Sequence, residues 1–124
     1  MEKIIQEQAR VLEDIIGRNW GNIPQVNEIE WEKSGVKIKD GAIVGLGLYN
    51  IKLRTLPESI GDLESLQKLY LRNNLLSTLP KSIKNLKSLE ALGLGDNQLT
   101  ALPESIGNLH SLKFLNFARN QLTT

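Results

Sequence analysis

The chain has 124 residues, a length that suits one compact domain. Its 15 basic and 14 acidic residues nearly balance, which argues against nucleic acid or an anionic membrane as the partner. It contains no cysteine, which excludes disulfides and thiolate zinc sites and favours a reducing compartment, so we expect a cytoplasmic protein. No stretch of the sequence approaches the roughly 18 apolar residues that a membrane-spanning helix needs.

Residues 2–16 predict an amphipathic helix. Gly17 follows as a natural C-cap. The apolar stripe at helical spacing consists of Ile4, Ile5, Val11, Leu12, Ile15 and Ile16. One interpretation is a helix that binds a membrane or a partner protein. The other, which we favour, is a lid over the end of the domain that follows, because the polar face mixes Glu and Arg instead of being basic.

A β-hairpin is predicted around Asp40-Gly41, after a looser stretch at residues 20–24. This dipeptide lies between alternating apolar residues in residues 36–44, a strong signal for two strands joined by a tight turn. We expect the helix and the hairpin to form an N-terminal cap of residues 1–42.

A 23-residue repeat occupies the remainder of the chain. Its first half reads Leu-x-x-Leu-x-Leu-x-x-Asn, with phenylalanine as the third apolar residue of the last copy, and it starts at Leu66, Leu89 and Leu112. Its second half reads Leu-Pro-x-Ser-Ile and starts at Leu56, Leu79 and Leu102.

Each half of the repeat has a physical interpretation. In Leu-x-Leu, the period of two points the leucines of a short strand into a core and the intervening residues to solvent. An inward asparagine can satisfy the backbone groups that are freed where the chain bends, so we expect a structural ladder of Asn74, Asn97 and Asn120. In the second half, proline suits the first turn of a short helix, and the following Ile and Leu face inward. The first coil is atypical, because Ile51 stands at the asparagine position.

These motifs resemble those of leucine-rich-repeat proteins, in particular the 23-residue subclass with a Leu-Pro-x-x-Ile convex side, as in Ras-group leucine-rich-repeat proteins. The resemblance covers roughly residues 43–124. It implies an α/β fold in which a short solenoid, a segment of a horseshoe, has a parallel concave β-sheet and short convex helical turns behind the N-terminal helix and hairpin. Strand-bearing coils are expected to start near residues 43, 66, 89 and 112. The run from Trp31 to Gly35-Val36 is similar to the N-terminal cap of plant-type ectodomains without its cysteines, which favours an intracellular relative.

No group of residues predicts catalysis, a cofactor or a metal site. The single histidine, His110, falls at a variable convex position and lacks partners for a metal or a catalytic triad. Ser59, Ser82 and Ser105 recur beside helix starts, where a hydroxyl can cap backbone N–H groups, so we expect them to be structural. The two-glycine pattern at residues 45–47 lies inside a strand and does not predict a dinucleotide loop.

The concave face is the predicted partner-binding surface, because the strands hold its outward side chains rigidly. Alignment of the coils indicates that the outward residues of the second strand have large side chains, whereas those of the third strand are only alanine and glycine. Strands lie about 4.8 Å apart, so a lane about 10 Å wide is expected between the second and fourth strands. We expect Tyr70 to wall it on one side and Phe114 and Asn116 on the other, which suits a peptide or loop. The candidate partner-binding residues are Tyr49, Lys68, Tyr70, Arg72, Asp96, Phe114, Asn116 and Arg119.

The alternative is a plain surface with scattered aromatic side chains. On that interpretation Arg72 stacks on Tyr49, and Asp96 pairs with Arg119. The face is mildly basic in either case, which favours an acidic partner segment.

The sequence as a whole predicts a non-enzymatic protein–protein interaction module. The resemblance to Ras-group proteins implies a small GTPase or its regulator as one class of partner. The alternative is a targeting fragment of a larger enzyme or GTPase-regulating protein whose other domain is absent. The last coil is unfinished after Asn120, so we expect either a longer protein or a homodimer that covers the open C-terminal ends.

Overall fold

The structure is a computed structural model that describes residue 4 and residues 6–122, apart from the side chains of residues 18–20. Ile5 of the predicted apolar stripe lies outside the described residues. Helix α1 (Gln6–Ile16) is followed by a 3-10 turn (Gly17–Asn22), and the strands are β1 (Gly35–Lys39), β2 (Ala42–Gly47), β3 (Lys68–Tyr70), β4 (Ala91–Gly93) and β5 (Phe114–Asn116). Three convex 3-10 turns, Glu58–Asp62, Lys81–Asn85 and Glu104–Asn108, precede β3, β4 and β5 respectively. None of the helices in this part of the chain is long and apolar enough to cross a membrane.

The five strands form one sheet in chain order. β1 and β2 are antiparallel, and the turn between them places Asp40 and Gly41 at φ values of 53° and 82°. Positive φ at both central residues matches the turn that a two-residue hairpin requires, so the predicted Asp-Gly hairpin is confirmed.

The remaining strands are parallel and stack in the register of the 23-residue repeat. Leu46 lies beside Leu69, Leu69 beside Leu92, and Leu92 beside Leu115. Equivalent residues of successive coils therefore lie side by side, without a shift along the strand direction. The predicted parallel sheet with short convex helical turns is confirmed.

The core lies between the sheet and the convex turns. The fully buried leucines in or directly after the strands are Leu46, Leu48, Leu69, Leu71, Leu92 and Leu94. The fully buried residues in or directly after the convex turns are Ile60, Leu63, Ile83 and Leu86. Each such side chain stabilises the fold by roughly 1.5–3 kcal/mol through removal of apolar surface from water. Helix α1 adds Val11, Leu12 and Ile15 to the same cluster, and it covers the first coil as the lid interpretation predicts.

The asparagine ladder is present, with its side chains turned inward. Nδ2 of Asn74 donates to the carbonyl of Leu48 at 2.8 Å, and its Oδ1 accepts from the N–H of Leu53 at 3.1 Å. The same two bonds recur in the next coils, from Asn97 to Leu71 (2.9 Å) and Leu76 (3.1 Å), and from Asn120 to Leu94 (2.9 Å) and Leu99 (3.0 Å). Each asparagine thus joins its own coil to the preceding one through its side-chain amide.

Two expectations about the convex turns are wrong. Proline stands just before the turn and not in it: Pro57 is extended (φ −71°, ψ 158°), and its carbonyl accepts from the N–H of Ile60 at 3.1 Å. The serines therefore lie past the N-cap position and do not cap the turns. Ser59 donates to Asp14 Oδ2 at 2.8 Å, whereas the hydroxyls of Ser82 and Ser105 are buried without a hydrogen-bond partner among the described residues.

Candidate functional site

The concave face is less open than its sequence predicts. Ala91 and Gly93 of β4 point to the concave side, yet both are buried, so other side chains cover them. The ring of Tyr70 in β3 extends over β4. A Cβ added at Gly93 would lie only 3.0 Å from Tyr70 Cδ1. β4, the third strand of the repeats, therefore forms the floor of a lane, and side chains from the neighbouring strands partly cover this floor.

A segment of residues 27–33, here called the covering segment, lies on this face. Ile29 is its most buried residue, with 7% of its surface exposed. A Cβ at Gly45 would lie only 2.6 Å from Ile29 Cγ1, and a Cβ at Gly47 would lie 3.0 Å from the carbonyl oxygen of Lys33. The two glycines of β2 leave the space in which the covering segment packs.

Hydrogen bonds hold the chain on both sides of the covering segment. The N–H of Val26 donates to Val36 O, and the N–H of Val36 donates to Pro24 O, both at 2.9 Å. After the segment, Ser34 Oγ accepts from the N–H of Tyr49 at 3.0 Å. The ends of the segment are thus tied to β1 and to the end of β2, while residues 27–33 are neither helix nor strand.

Trp31 occupies the predicted lane between β3 and β5. Its ring stacks on Tyr70 with centroids 5.8 Å apart and planes 22° apart. It meets Phe114 edge to face, with centroids 5.5 Å apart and planes 85° apart. Both arrangements are favourable for aromatic pairs. A tryptophan of the same chain therefore lies between Tyr70 and Phe114, where the sequence predicts the lane.

A line of charges runs along one edge of the lane. Arg72 donates through Nη1 to Glu32 Oε1 at 2.6 Å and through Nε to Asp96 Oδ2 at 3.0 Å. Arg119 binds the other side of Asp96, with 2.6 Å between Nε and Oδ1, so the predicted Asp96–Arg119 pair is confirmed. The hydrogen bond from Arg72, together with that from Arg119, lowers the pKa of the Asp96 carboxyl. The Asp96 bond also raises the pKa of Arg72.

A second, weaker set of charges lies nearer to β1. Glu28 Oε2 is 3.8 Å from Lys68 Nζ, and Glu28 Oε1 is 4.0 Å from Lys37 Nζ. These side chains are well exposed, and pairs of this kind contribute little to stability. They nevertheless place an acidic side chain of the covering segment beside two basic side chains of the face.

The residues three positions after the ends of β2, β3, β4 and β5 form a row whose residue types have a backbone cause. Asn50, Asn73, Asp96 and Arg119 all have φ between 54° and 60°. Asn and Asp tolerate this left-handed conformation best, because their short polar side chains bond locally. The bend after each strand therefore explains most of the residue types in this row. Asp96 and Arg119 are also paired with each other through their side chains.

The structure brings most of the predicted partner-binding residues together. Tyr70 and Phe114 contact Trp31, and Arg72 contacts Glu32. Asp96 and Arg119 join this group through Arg72. The other three are more peripheral: Lys68 faces Glu28, Tyr49 binds Ser34 through its backbone, and Asn116 Oδ1 accepts from the N–H of Ala118 at 2.9 Å. Arg72 pairs with carboxylates and not with the ring of Tyr49 as the alternative interpretation proposed.

Sequence reasoning missed Ile29, Trp31 and Glu32 as residues of the face. Two signals were available. Residues 1–42 carry eight acidic and six basic groups, whereas residues 43–124 carry six and nine, which predicts attraction between the two parts. Two glycines at adjacent outward positions of one strand, at residues 45 and 47, also indicate close approach by another backbone.

The described residues contain no cluster of three or more histidine, aspartate or glutamate side chains that could hold a metal ion. His110 lies exposed after the last convex turn, at the variable position that the repeat predicts.

Comparisons with known proteins agree with the repeat. Residues 45–124 match a family model described as a leucine-rich repeat region. A leucine-rich-repeat protein of Leptospira interrogans is 45% identical, with a TM-score of 0.62 over 63% of this chain and 20% of that chain. The leucine-rich-repeat ectodomain of the plant membrane receptor kinase GASSHO1/SCHENGEN3 from Arabidopsis thaliana, solved in complex with CASPARIAN STRIP INTEGRITY FACTOR 2, is 26% identical, with a TM-score of 0.70 over 94% of this chain and 15% of that chain. The chain thus spans a fifth or less of these structures, and no curated protein sequence matches it.

Proposed function

Because the chain belongs to the leucine-rich-repeat family, we propose that it is a non-enzymatic module that binds a partner protein on the concave face of its sheet. Domains of this family generally mediate protein–protein interaction. The proposed contact residues are the eight candidates of the face, with Tyr70, Arg72 and Phe114 at its centre. Tyr and Arg are the residue types most often found as binding anchors.

One observation carries the proposal: the face already holds a stretch of polypeptide. The covering segment places an aliphatic, an aromatic and two acidic side chains against glycines, rings and basic groups of the sheet. A surface that accepts irregular chain in this way has the shape and the chemistry for a segment of another protein.

The plant receptor ectodomain lends support by analogy. That leucine-rich-repeat ectodomain forms a complex with CASPARIAN STRIP INTEGRITY FACTOR 2. This chain spans 15% of that ectodomain, and the analogy therefore extends only to the class of function.

A capture experiment tests the proposal. The wild-type chain and the variant Tyr70→Ala/Arg72→Ala are immobilised, and proteins retained from a cell extract are quantified by mass spectrometry. We expect the double variant to retain the specific partner at least about tenfold less well, since anchors of this type dominate binding. The matched control is Lys84→Ala/His110→Ala on the convex side, where both residues are exposed. Greater loss from the convex variant would refute the concave face.

The class of partner remains a prediction. We propose a small GTPase or its regulator, on the resemblance of the 23-residue repeat to that of Ras-group proteins. Binding of purified small GTPases in their GDP and GTP-analogue states to the immobilised chain tests it.

The alternative function is a targeting fragment of a larger enzyme or GTPase regulator, and the length of the open reading frame tests it. Cytoplasmic location is a further proposal, and microscopy of the tagged protein tests it.

Self-association is a separate proposal and concerns the surface around Phe117. This ring is 40% exposed, beside the half-buried Leu115 and Leu122. Sedimentation at micromolar concentration tests it. A dimer that Phe117→Asp dissociates and Tyr70→Ala does not would support the proposal, whereas a strict monomer would contradict it.

A further inference from the structure

We propose that Trp31 and Glu32 are an internal ligand of the lane, and that the partner displaces them with its own aromatic side chain next to a carboxylate. This inference rests on the proposed function, and it specifies the chemistry of the partner segment. The lane is defined by Tyr70 and Phe114 as walls and by Ala91 and Gly93 as floor.

The covering segment consists of two parts that differ in burial. Ile29 is 7% exposed and fits against Gly45, so it belongs to the packed interior. Trp31 is 41% exposed, although it touches two rings. A tryptophan that is part of a core buries most of its large surface, whereas a tryptophan that lies on a surface keeps one side in water. Trp31 is therefore docked on the face, and Ile29 anchors the segment.

The carboxylate position is built independently of the covering segment. Arg72 is held by Asp96, which is itself held by Arg119, and both of these partners come from later coils of the solenoid. Removal of Glu32 leaves this chain of contacts intact. The guanidinium of Arg72 consequently remains oriented to bind a carboxylate from outside, and guanidinium–carboxylate hydrogen bonds are among the stronger and more directional ones.

The attachments of the covering segment permit the exchange. Its ends are tied by backbone hydrogen bonds between residues 24–26 and Val36 and by the side chain of Ser34, and its middle is held through side chains. Residues 30–33 can therefore leave the lane while Ile29 and both ends stay in place. An open groove of about 670 Å³, lined in part by Trp31, Glu32 and Arg72, lies beside the docked tryptophan and gives an incoming segment access to it.

Tethering makes the internal ligand an effective competitor. A short tether gives an effective concentration on the order of millimolar, so that even a weak docking interaction keeps the lane occupied. An external segment binds only to the fraction of molecules in which the lane is open, and its apparent affinity falls by that fraction. Only a partner with the same aromatic and acidic groups, and with further contacts on the face, then binds tightly.

The experiment uses a heptapeptide with the sequence of residues 27–33, blocked at both ends, as an external probe. Its binding is titrated by NMR against the full chain and against the variant Trp31→Ala/Glu32→Ala. We expect the double variant to bind the peptide at least about tenfold more tightly than the wild type, because its lane is vacant. The variant Trp31→Leu/Glu32→Gln is measured in parallel in case the alanine variant unfolds.

Two matched controls make the result specific. A peptide with alanine in place of its tryptophan is expected to lose binding to the double variant. Addition of Tyr70→Ala to the double variant is expected to do the same, because it removes one wall of the lane. Equal binding to wild type and to both folded variants, or binding that survives Tyr70→Ala, would overturn the inference.

The capture experiment separates this inference from the proposed function. Trp31→Ala/Glu32→Ala is expected to retain more of the specific partner than the wild type does. If it retains less, Trp31 is part of the binding surface, the internal-ligand inference is wrong, and binding on the concave face stands. If neither this variant nor Tyr70→Ala/Arg72→Ala changes retention while the convex variant does, the proposed function itself is refuted.

Discussion

The ring of Trp31 stacks on that of Tyr70, with centroids 5.8 Å apart and planes 22° apart. Trp31 comes from the N-terminal segment and Tyr70 from β3, the second strand of the repeats, so the contact joins the two parts of the chain across the concave face. Phe114 on the other side completes a cluster of three rings above β4. The surface on which a leucine-rich-repeat module would be expected to bind a partner is thus partly occupied by the chain itself.

Trp31→Ala is predicted to cost little stability. The ring is 41% exposed, so its removal is expected to lower the free energy of unfolding by roughly 1–2 kcal/mol. The comparison is Leu92→Ala in β4, where the leucine is fully buried and a loss of roughly 2–5 kcal/mol is expected. Urea unfolding of both variants measures the difference. A loss for Trp31→Ala as large as that for Leu92→Ala would show that the ring belongs to the core.

Gly45→Ala is predicted to disturb the covering segment. The new methyl group would lie 2.6 Å from Ile29 Cγ1, closer than side chains approach, and overpacking of this kind costs roughly 1–3 kcal/mol. Ile29→Ala removes the clashing atom, so the double variant should be more stable than the sum of the single effects predicts, by roughly 0.5–3 kcal/mol. Gly107→Ala is the control, because nothing lies within 4 Å of a Cβ there. Simple additivity of the two changes would contradict the contact.

Asn97→Ala is predicted to weaken the stacking of the coils. Asn97 is buried and bonds to Leu71 O, Leu94 O and the N–H of Leu76, so its removal leaves buried backbone groups unpaired. The expected loss is roughly 1–3 kcal/mol in the free energy of unfolding. Asn108→Ala, on the exposed convex side, is expected to change it by less than roughly 0.5 kcal/mol. Equal unfolding midpoints for both variants would argue against the ladder.

Asp96 is predicted to make stability depend on acid pH. Arg72, followed by Arg119, lowers its pKa in the folded state, so the unfolded chain binds the proton first as pH falls. The stabilisation is therefore present at neutral pH and is lost below about pH 4. Melting temperatures from pH 7 to pH 2 should fall less steeply for Asp96→Asn than for the wild type. Glu104→Gln, an exposed change on the convex side, should show the same dependence of melting temperature on pH as the wild type. The same dependence in Asp96→Asn would contradict the role of the Asp96 carboxyl.

The repeat was predictable because its physical causes are local. The spacing of Leu69 and Leu71 and the asparagine at 74 set a strand and its end within a few residues, and the 23-residue period sets the register between strands. The hairpin followed from Asp40 and Gly41 alone, because positive φ at both positions is a property of the dipeptide.

The covering segment was not predictable by the same reasoning. Residues 27–33 have no periodic pattern, and their position depends on side chains that are distant in sequence, at Gly45, Tyr70 and Arg72. The sequence predicted the walls of the lane from Tyr70 and Phe114, and it predicted that acidic chain suits the face. It did not indicate that Trp31 and Glu32 would supply that chain, because alignment of the repeats says nothing about a segment that lies outside them.

Site-specific photo-cross-linking tests binding on the concave face most directly. A benzophenone amino acid is placed at Phe114, which is exposed on the concave side, or at Lys84, which is exposed on the convex side, and each protein is irradiated with the retained partner. We predict a covalent product with the partner from position 114 and none from position 84. A product from position 84 alone would contradict the proposed binding face.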